Sequence, residues 1–184
     1  DCSEIVNEMR LIKSAAEIVI MKQVNVISGG AHQRAMEKCR PEIYEFQIEA
    51  ELLHEFARHG ARHAAYNSIV AGGDNANILH YTENTSVIKD NDLVLIDAGC
   101  ELDYYAADIT RTFPAGGKFT EPQKKLYNIV LDAQLAAIDA IKPGVTWNVP
   151  HDVTVRVITE GLLKLGLLRG DLNQLINNEA YKEF

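Results

Sequence analysis

The chain has 184 residues, 47% of them hydrophobic, and a formal net charge of -8 from 18 Lys and Arg against 26 Asp and Glu. That length suits one domain, and the acidic balance offers no basic field to meet phosphates, which argues against a nucleic-acid partner. No apolar run approaches the roughly 20 residues that span a bilayer, so no membrane segment is expected. Three cysteines, Cys2, Cys39 and Cys100, are too few and too scattered for a disulfide framework or a structural zinc site, and point to a reducing, cytoplasmic setting. The start at Asp1, without Met or a leader, reads as a cut within a longer protein or a processed start.

Ser14-Ala15-Ala16-Glu17 is a capping-box pattern. Apolar residues at Ile18, Met21, Val24 and Ile27 then follow at helical spacing, and the helix is predicted to run through Gly29-Gly30 to about Cys39. A second helix is predicted from Tyr44 to His59, with Phe46, Ile48, Leu52, Leu53 and Phe56 as its apolar set and Gly60 closing it. Tyr66 to Ala71 reads as a strand, and Ile78-Leu79-His80-Tyr81 as a short extended piece. Thr120-Glu121-Pro122-Gln123 is another capping box, opening a helix to Ile141. A further helix is capped by Asn148 and runs to Leu165, and Asp171 caps a last short one. The layout is α+β, with helices packed on an antiparallel sheet.

The stretch from Asp92 to Phe113 organises the rest. Leu93 to Ile96 is a continuous apolar run, a buried strand, and Ile109 to Phe113 alternates like a second one. A hairpin centred between Leu102 and Asp103 puts Asp97 directly opposite Asp108, with Cβ atoms roughly 4.5–5.5 Å apart. Two carboxylates so placed need a shared proton or a cation. Otherwise the register differs and one Asp faces solvent. Carboxylate donors suit the hard divalent ions, but two alone make a weak site.

His80 is the second candidate, as a ligand, a proton shuttle or a donor to a substrate carbonyl, against the plain reading of a surface His near a turn. His32, His54, His59, His63 and His151 fall on helical faces or ends and read as structural or solvated. Tyr66 either supports a metal-ligating carboxylate through a hydrogen bond or is a half-buried strand aromatic. Cys100 beside Gly99 reads as a packed small residue.

Ile78-Leu79-His80-Tyr81-Thr82-Glu83-Asn84, Leu93 to Cys100, and Ala107-Asp108-Ile109-Thr110-Arg111-Thr112-Phe113-Pro114 together resemble the Xaa-Pro aminopeptidases of the pita-bread metallopeptidases. Tyr66 to Val70 and Arg10 to Ser14 share the resemblance, which runs from about Arg10 to Phe184. It implies half of a pita-bread fold: residues 1–184 would be the first half of a catalytic domain, without the second half that supplies one His and two Glu ligands. It also implies a pair of Mn2+ ions, with Asp97 binding one through both oxygens and Asp108 bridging the two. His80 would face substrate and assist the reaction, and Tyr66 would support a ligating aspartate. The implied reaction is attack by a metal-bridging hydroxide, releasing the residue before proline from peptides with proline in second position. The chain alone would then be inactive with a weak or absent metal site, and its unpaired half would favour a homo-oligomer. An Xaa-Pro dipeptidase and a non-catalytic pita-bread binding protein are the alternatives.

Overall fold

In the computed structural model, which describes residues 1–184, the chain divides into two units, Asp1–Lys118 and Phe119–Phe184. The first begins with a helix that no sequence pattern announced, α1 (Cys2–Leu11), which buries nothing and so carries no core stripe to betray it. Asp1 caps it, Oδ1 accepting from the Ser3 amide at 3.1 Å.

The Ser14 capping box opens α2 (Ala15–Lys38): the Ser14 amide donates to Glu17 Oε2 at 2.6 Å, and the Glu17 amide to Ser14 Oγ at 3.3 Å. As expected, α2 continues through Gly29-Gly30. Its buried stripe is Val24, Ile27, Ser28, Ala31, His32 and Ala35. Next, α3 (Glu45–Arg58) buries Glu45, Ile48, Leu52 and Phe56, the three- and four-residue spacing of one helix face. Phe46 and Leu53, expected in that set, lie off this stripe and are exposed.

Six short strands follow: β1 (His63–Ala64), β2 (Ile69–Gly72), β3 (Leu93–Ala98), β4 (Cys100–Leu102), β5 (Tyr105–Ala106) and β6 (Ile109–Pro114). They form two antiparallel sheets, ordered β2-β3-β6 and β1-β4-β5. Val70, Val94, Ile96 and Ala98 share one buried cluster with the stripes of α2 and α3. Full burial of side chains such as Ile48, Leu52 and Phe56 stabilises by about 1.5–3 kcal/mol each. The opposite face carries a smaller cluster of Ile69, Ala71 and Tyr81, with Ala76 and Leu95 against it. Both faces of β3 are therefore partly apolar, which is why its sequence reads as a continuous run.

The hairpin is centred one position later than expected. Leu102 pairs with Tyr105, and Asp103-Tyr104 make a two-residue turn with φ of 50° and 67°. Two left-handed residues are what a tight hairpin matching strand twist requires, and Glu101 Oε1 accepts from the Tyr104 amide at 2.6 Å. Asp97 consequently pairs with Thr110, not Asp108. The slip is two residues in register, so Asp108 stays on the Asp97 face as a diagonal neighbour.

At Gly99, between β3 and β4, the hairpin partner comes very close. A Cβ built there would lie 1.8 Å from the Ala107 carbonyl oxygen. Just beyond, Cys100 is fully buried; its amide donates to Ser28 Oγ at 3.0 Å, which fits its reading as a packed residue.

The second unit holds α4 (Glu121–Ala140), α5 (Asn148–Lys164) and α6 (Leu172–Asn177). Thr120 and Gln123 form the expected capping box, and the Gln174 amide donates to Asp171 Oδ1 at 3.1 Å to cap α6. Asn148 is the first helical residue rather than the cap of α5, because Trp147 before it is already in the right-handed helical region. Gly161 of α5 faces Ile129 of α4, whose Cγ2 would sit 2.5 Å from a Cβ at position 161. No helix of the chain is long and apolar enough to cross a membrane.

Candidate metal centre

Asp97 is the fifth residue of β3 and points away from the α2–α3 core, because its neighbours Ile96 and Ala98 take the buried side. Asp108 lies just ahead of β6, outside the strand ladder. The Tyr66 hydroxyl lies between them, 2.6 Å from Asp97 Oδ1 and 3.1 Å from Asp108 Oδ1. A phenol has one proton, so the shorter contact makes Asp97 its main acceptor. Burial first, then the hydrogen bond to Asp97 and the charges of both aspartates, push the Tyr66 pKa well above its usual value. The phenol stays protonated and serves as a donor.

Neither aspartate forms an ion pair with any Lys, Arg or His. Two carboxylates thus converge with one neutral donor between them and no positive side chain to balance them. That donor set fits a hard divalent cation. It is a partial set, since no group of three or more His, Cys, Asp and Glu gathers to hold a metal.

A cavity of about 360 Å³ opens over the pair, lined by Tyr66, Asn67, Ile69, His80, Asp97 and Asp108. All four side chains singled out from the sequence therefore meet in one place. A second recess of about 200 Å³ adjoins it, sharing Ile69, His80 and Asp97 and adding apolar Ala71, Ile78, Leu79 and Leu95. His80 is not on an extended piece. It sits in a turn, in the left-handed region at φ 55°, and is exposed to the cavity.

Of the five histidines read as structural or solvated, His32 is hydrogen-bonded to β3. It is 3% exposed, with Nε2 donating to the Ala98 carbonyl at 2.9 Å and Nδ1 unpartnered. Burial lowers its pKa, so folding favours the neutral imidazole. The unfolded chain takes up that proton near pH 6.5. Stability should therefore be complete above about pH 6.5 and fall below it, by up to about 1.4 kcal/mol per pH unit. Thermal melts between pH 7 and 5 should show a flatter profile for His32→Gln, which lacks the titrating group; identical profiles would contradict this.

Spacing alone missed two polar residues beside the site. Both are fully buried: Glu45 is hydrogen-bonded to the loop that carries His80, and Asn84, within that loop, to Ser68 and Val70. Glu45 had a visible signal, since it falls on the same helical stripe as Ile48, Leu52 and Phe56.

The profile of metallopeptidase family M24 matches residues 19–181. The chain belongs to family M24. A Xaa-Pro aminopeptidase of Haemophilus influenzae is 52% identical over 184 residues, all of this chain and 43% of that protein. An Escherichia coli aminopeptidase P variant in complex with substrate superposes with a TM-score of 0.98 at 49% identity, covering 100% of this chain and 42% of that one. Zinc-substituted Escherichia coli aminopeptidase P in complex with product gives a TM-score of 0.94 at 49% identity, over 96% of this chain and 40% of that one. The M24 chain described here thus spans about two fifths of the length of these relatives. The α+β architecture implied by the pita-bread resemblance is the one this M24 chain has.

Proposed function

We propose that this chain is part of a Xaa-Pro aminopeptidase, contributing the first two carboxylates of a two-metal centre in a partial catalytic domain of residues 1–184. The observation that carries it is the convergence of Asp97 and Asp108 on the Tyr66 hydroxyl, in a cavity that His80 also lines. Names of the relatives supply the substrate class: peptides with proline in second position. Mn2+ is the proposed metal, since hard oxygen donors suit it. Bound divalent ions would supply Lewis acidity and lower the pKa of a coordinated water. Asp97 and Asp108 would hold the cations. Tyr66 donates to Asp97 and fixes which of its oxygens remain free. His80, at the cavity wall, donates a hydrogen bond to the substrate carbonyl oxygen and steadies the charge that develops there. The free state of Cys2, Cys39 and Cys100 supports a cytoplasmic setting.

The test is peptide cleavage by a protein that carries this chain at the full length of its relatives. Release of the first residue from Xaa-Pro-Xaa peptides, lost with a chelator and restored by manganese, is expected. Cleavage of Xaa-Pro dipeptides alone would favour a dipeptidase, and no cleavage with any divalent metal would overturn the reading. Residues 1–184 by themselves, with two ligating carboxylates, are expected to show no appreciable turnover with manganese. They are also expected to self-associate through exposed apolar side chains such as Leu135, Ile138 and Trp147; a monomer by light scattering at high concentration would contradict that.

A further inference from the structure

His80 makes no side-chain hydrogen bond of its own, so its place at the cavity depends on the loop that carries it, residues 72–86. That loop is gathered by a buried carboxylate. Glu45, at the first turn of α3, is 0% exposed. Its Oε1 accepts from the Gly72 amide at 2.8 Å and from Asn75 Nδ2 at 2.9 Å. Its Oε2 accepts from the Tyr81 hydroxyl at 2.7 Å and from the Ser86 amide at 2.9 Å. The donors come from both ends of the loop and from the residue next to His80. The Tyr81 hydroxyl is itself shared, accepting from Asn75 Nδ2 at 3.1 Å and from the Thr85 amide at 3.4 Å. Asn84 completes the fastening to β2, accepting from the Val70 amide and donating to the Ser68 carbonyl, both at 2.9 Å.

A charged residue on the core stripe of a helix needs its hydrogen bonds satisfied to be tolerated. Here every partner of the carboxylate belongs to one loop. We infer that Glu45 is a positioning residue for His80: through Tyr81 and the ends of the 72–86 loop it fixes the left-handed turn that presents the imidazole to the cavity of Asp97 and Asp108. The catalytic consequence rests on the aminopeptidase reading above; the positional one does not.

The experiment uses the metal-loaded enzyme at full length, with Glu45→Gln, Tyr81→Phe, His80→Ala and the Glu45→Gln/His80→Ala pair. Glu45→Gln puts an amide NH2 where only donors converge, so at least one contact is lost. Its kcat should fall about 10- to 100-fold, as displacing a catalytic group by an ångström can do, with metal content unchanged because Asp97 and Asp108 are untouched. In the His80→Ala background the same substitution should add no further loss. Histidine-labelled NMR should show the His80 imidazole resonances shifted and those of His54 and His151 in place. If Glu45→Gln does not fold, Tyr81→Phe, which removes a single donor from Oε2, should show the same pattern with a smaller drop. A folded variant with wild-type kcat and an unmoved His80 resonance, or an equal loss with and without His80, would overturn the inference. If the wild type itself releases no residue before proline, the functional reading fails, and the His80 resonance alone decides the positional one.

Discussion

Asp108→Asn is expected to lower Xaa-Pro cleavage by the full-length, manganese-loaded enzyme by more than about 100-fold, with Asp97→Asn of the same order. Loss of a group that merely supports a ligand costs a metal site about 10- to 100-fold, and loss of a ligand itself should cost more. Asparagine keeps the shape, and its carbonyl can still accept from Tyr66, so the 2.6 Å and 3.1 Å contacts to the phenol need not break. What goes is one negative charge and one cation-binding oxygen. Without metal the sign reverses. Two like-charged groups converge there with no cationic partner, so removing one charge relieves repulsion, and the metal-free variant should melt no lower than the wild type. Manganese titration by calorimetry, alongside metal-free melting curves, reads both effects. A variant that binds manganese as the wild type does would remove Asp108 from the ligand set.

Gly99→Ala is the second large effect. Its Cβ would stand 1.8 Å from the Ala107 carbonyl oxygen, well inside van der Waals contact. Main chain on one side or the other has to move by more than an ångström. Overpacking of this kind destabilises by about 1–3 kcal/mol. The more telling result is at the site, because the two segments forced apart carry Asp97 and Asp108. A shift of that size should weaken manganese binding along with activity, by about 100-fold in rate, although position 99 touches no cation. A folded Gly99→Ala protein with unaltered metal affinity would show that the close approach does not set the distance between the aspartates.

Local chemistry was legible and long-range chemistry was not. The capping boxes at Ser14 and Thr120 and the cap at Asp171 are written within a few residues, and their helices start where those residues put them. By contrast, α1 has no buried face, so nothing in its pattern refers to a core. The hairpin centre went astray because Asp103-Tyr104 is an unusual pair for a turn that needs two positive φ angles; Tyr104 is left exposed by it. That error was harmless to the site, since a two-residue slip keeps side chains on their face. The pairing of Asp97, Asp108 and His80 was visible through family resemblance far more than through spacing. The left-handed turn at His80 and the role of Glu45 depend on contacts between residues far apart in the chain, Glu45 with Ser86 and Asn84 with Val70 among them. No local window contains both partners.

Gly99 and Gly161 differ in whether a second mutation can compensate for their loss. At Gly161 the obstacle is the Ile129 side chain. Trimming that neighbour makes room, so Gly161→Ala has a suppressor within reach, and positions 129 and 161 are free to drift together. At Gly99 the obstacle is a peptide carbonyl, which every residue at position 107 would present equally. No substitution at position 107 can restore the fit, so the loss of Gly99 has no side-chain suppressor there.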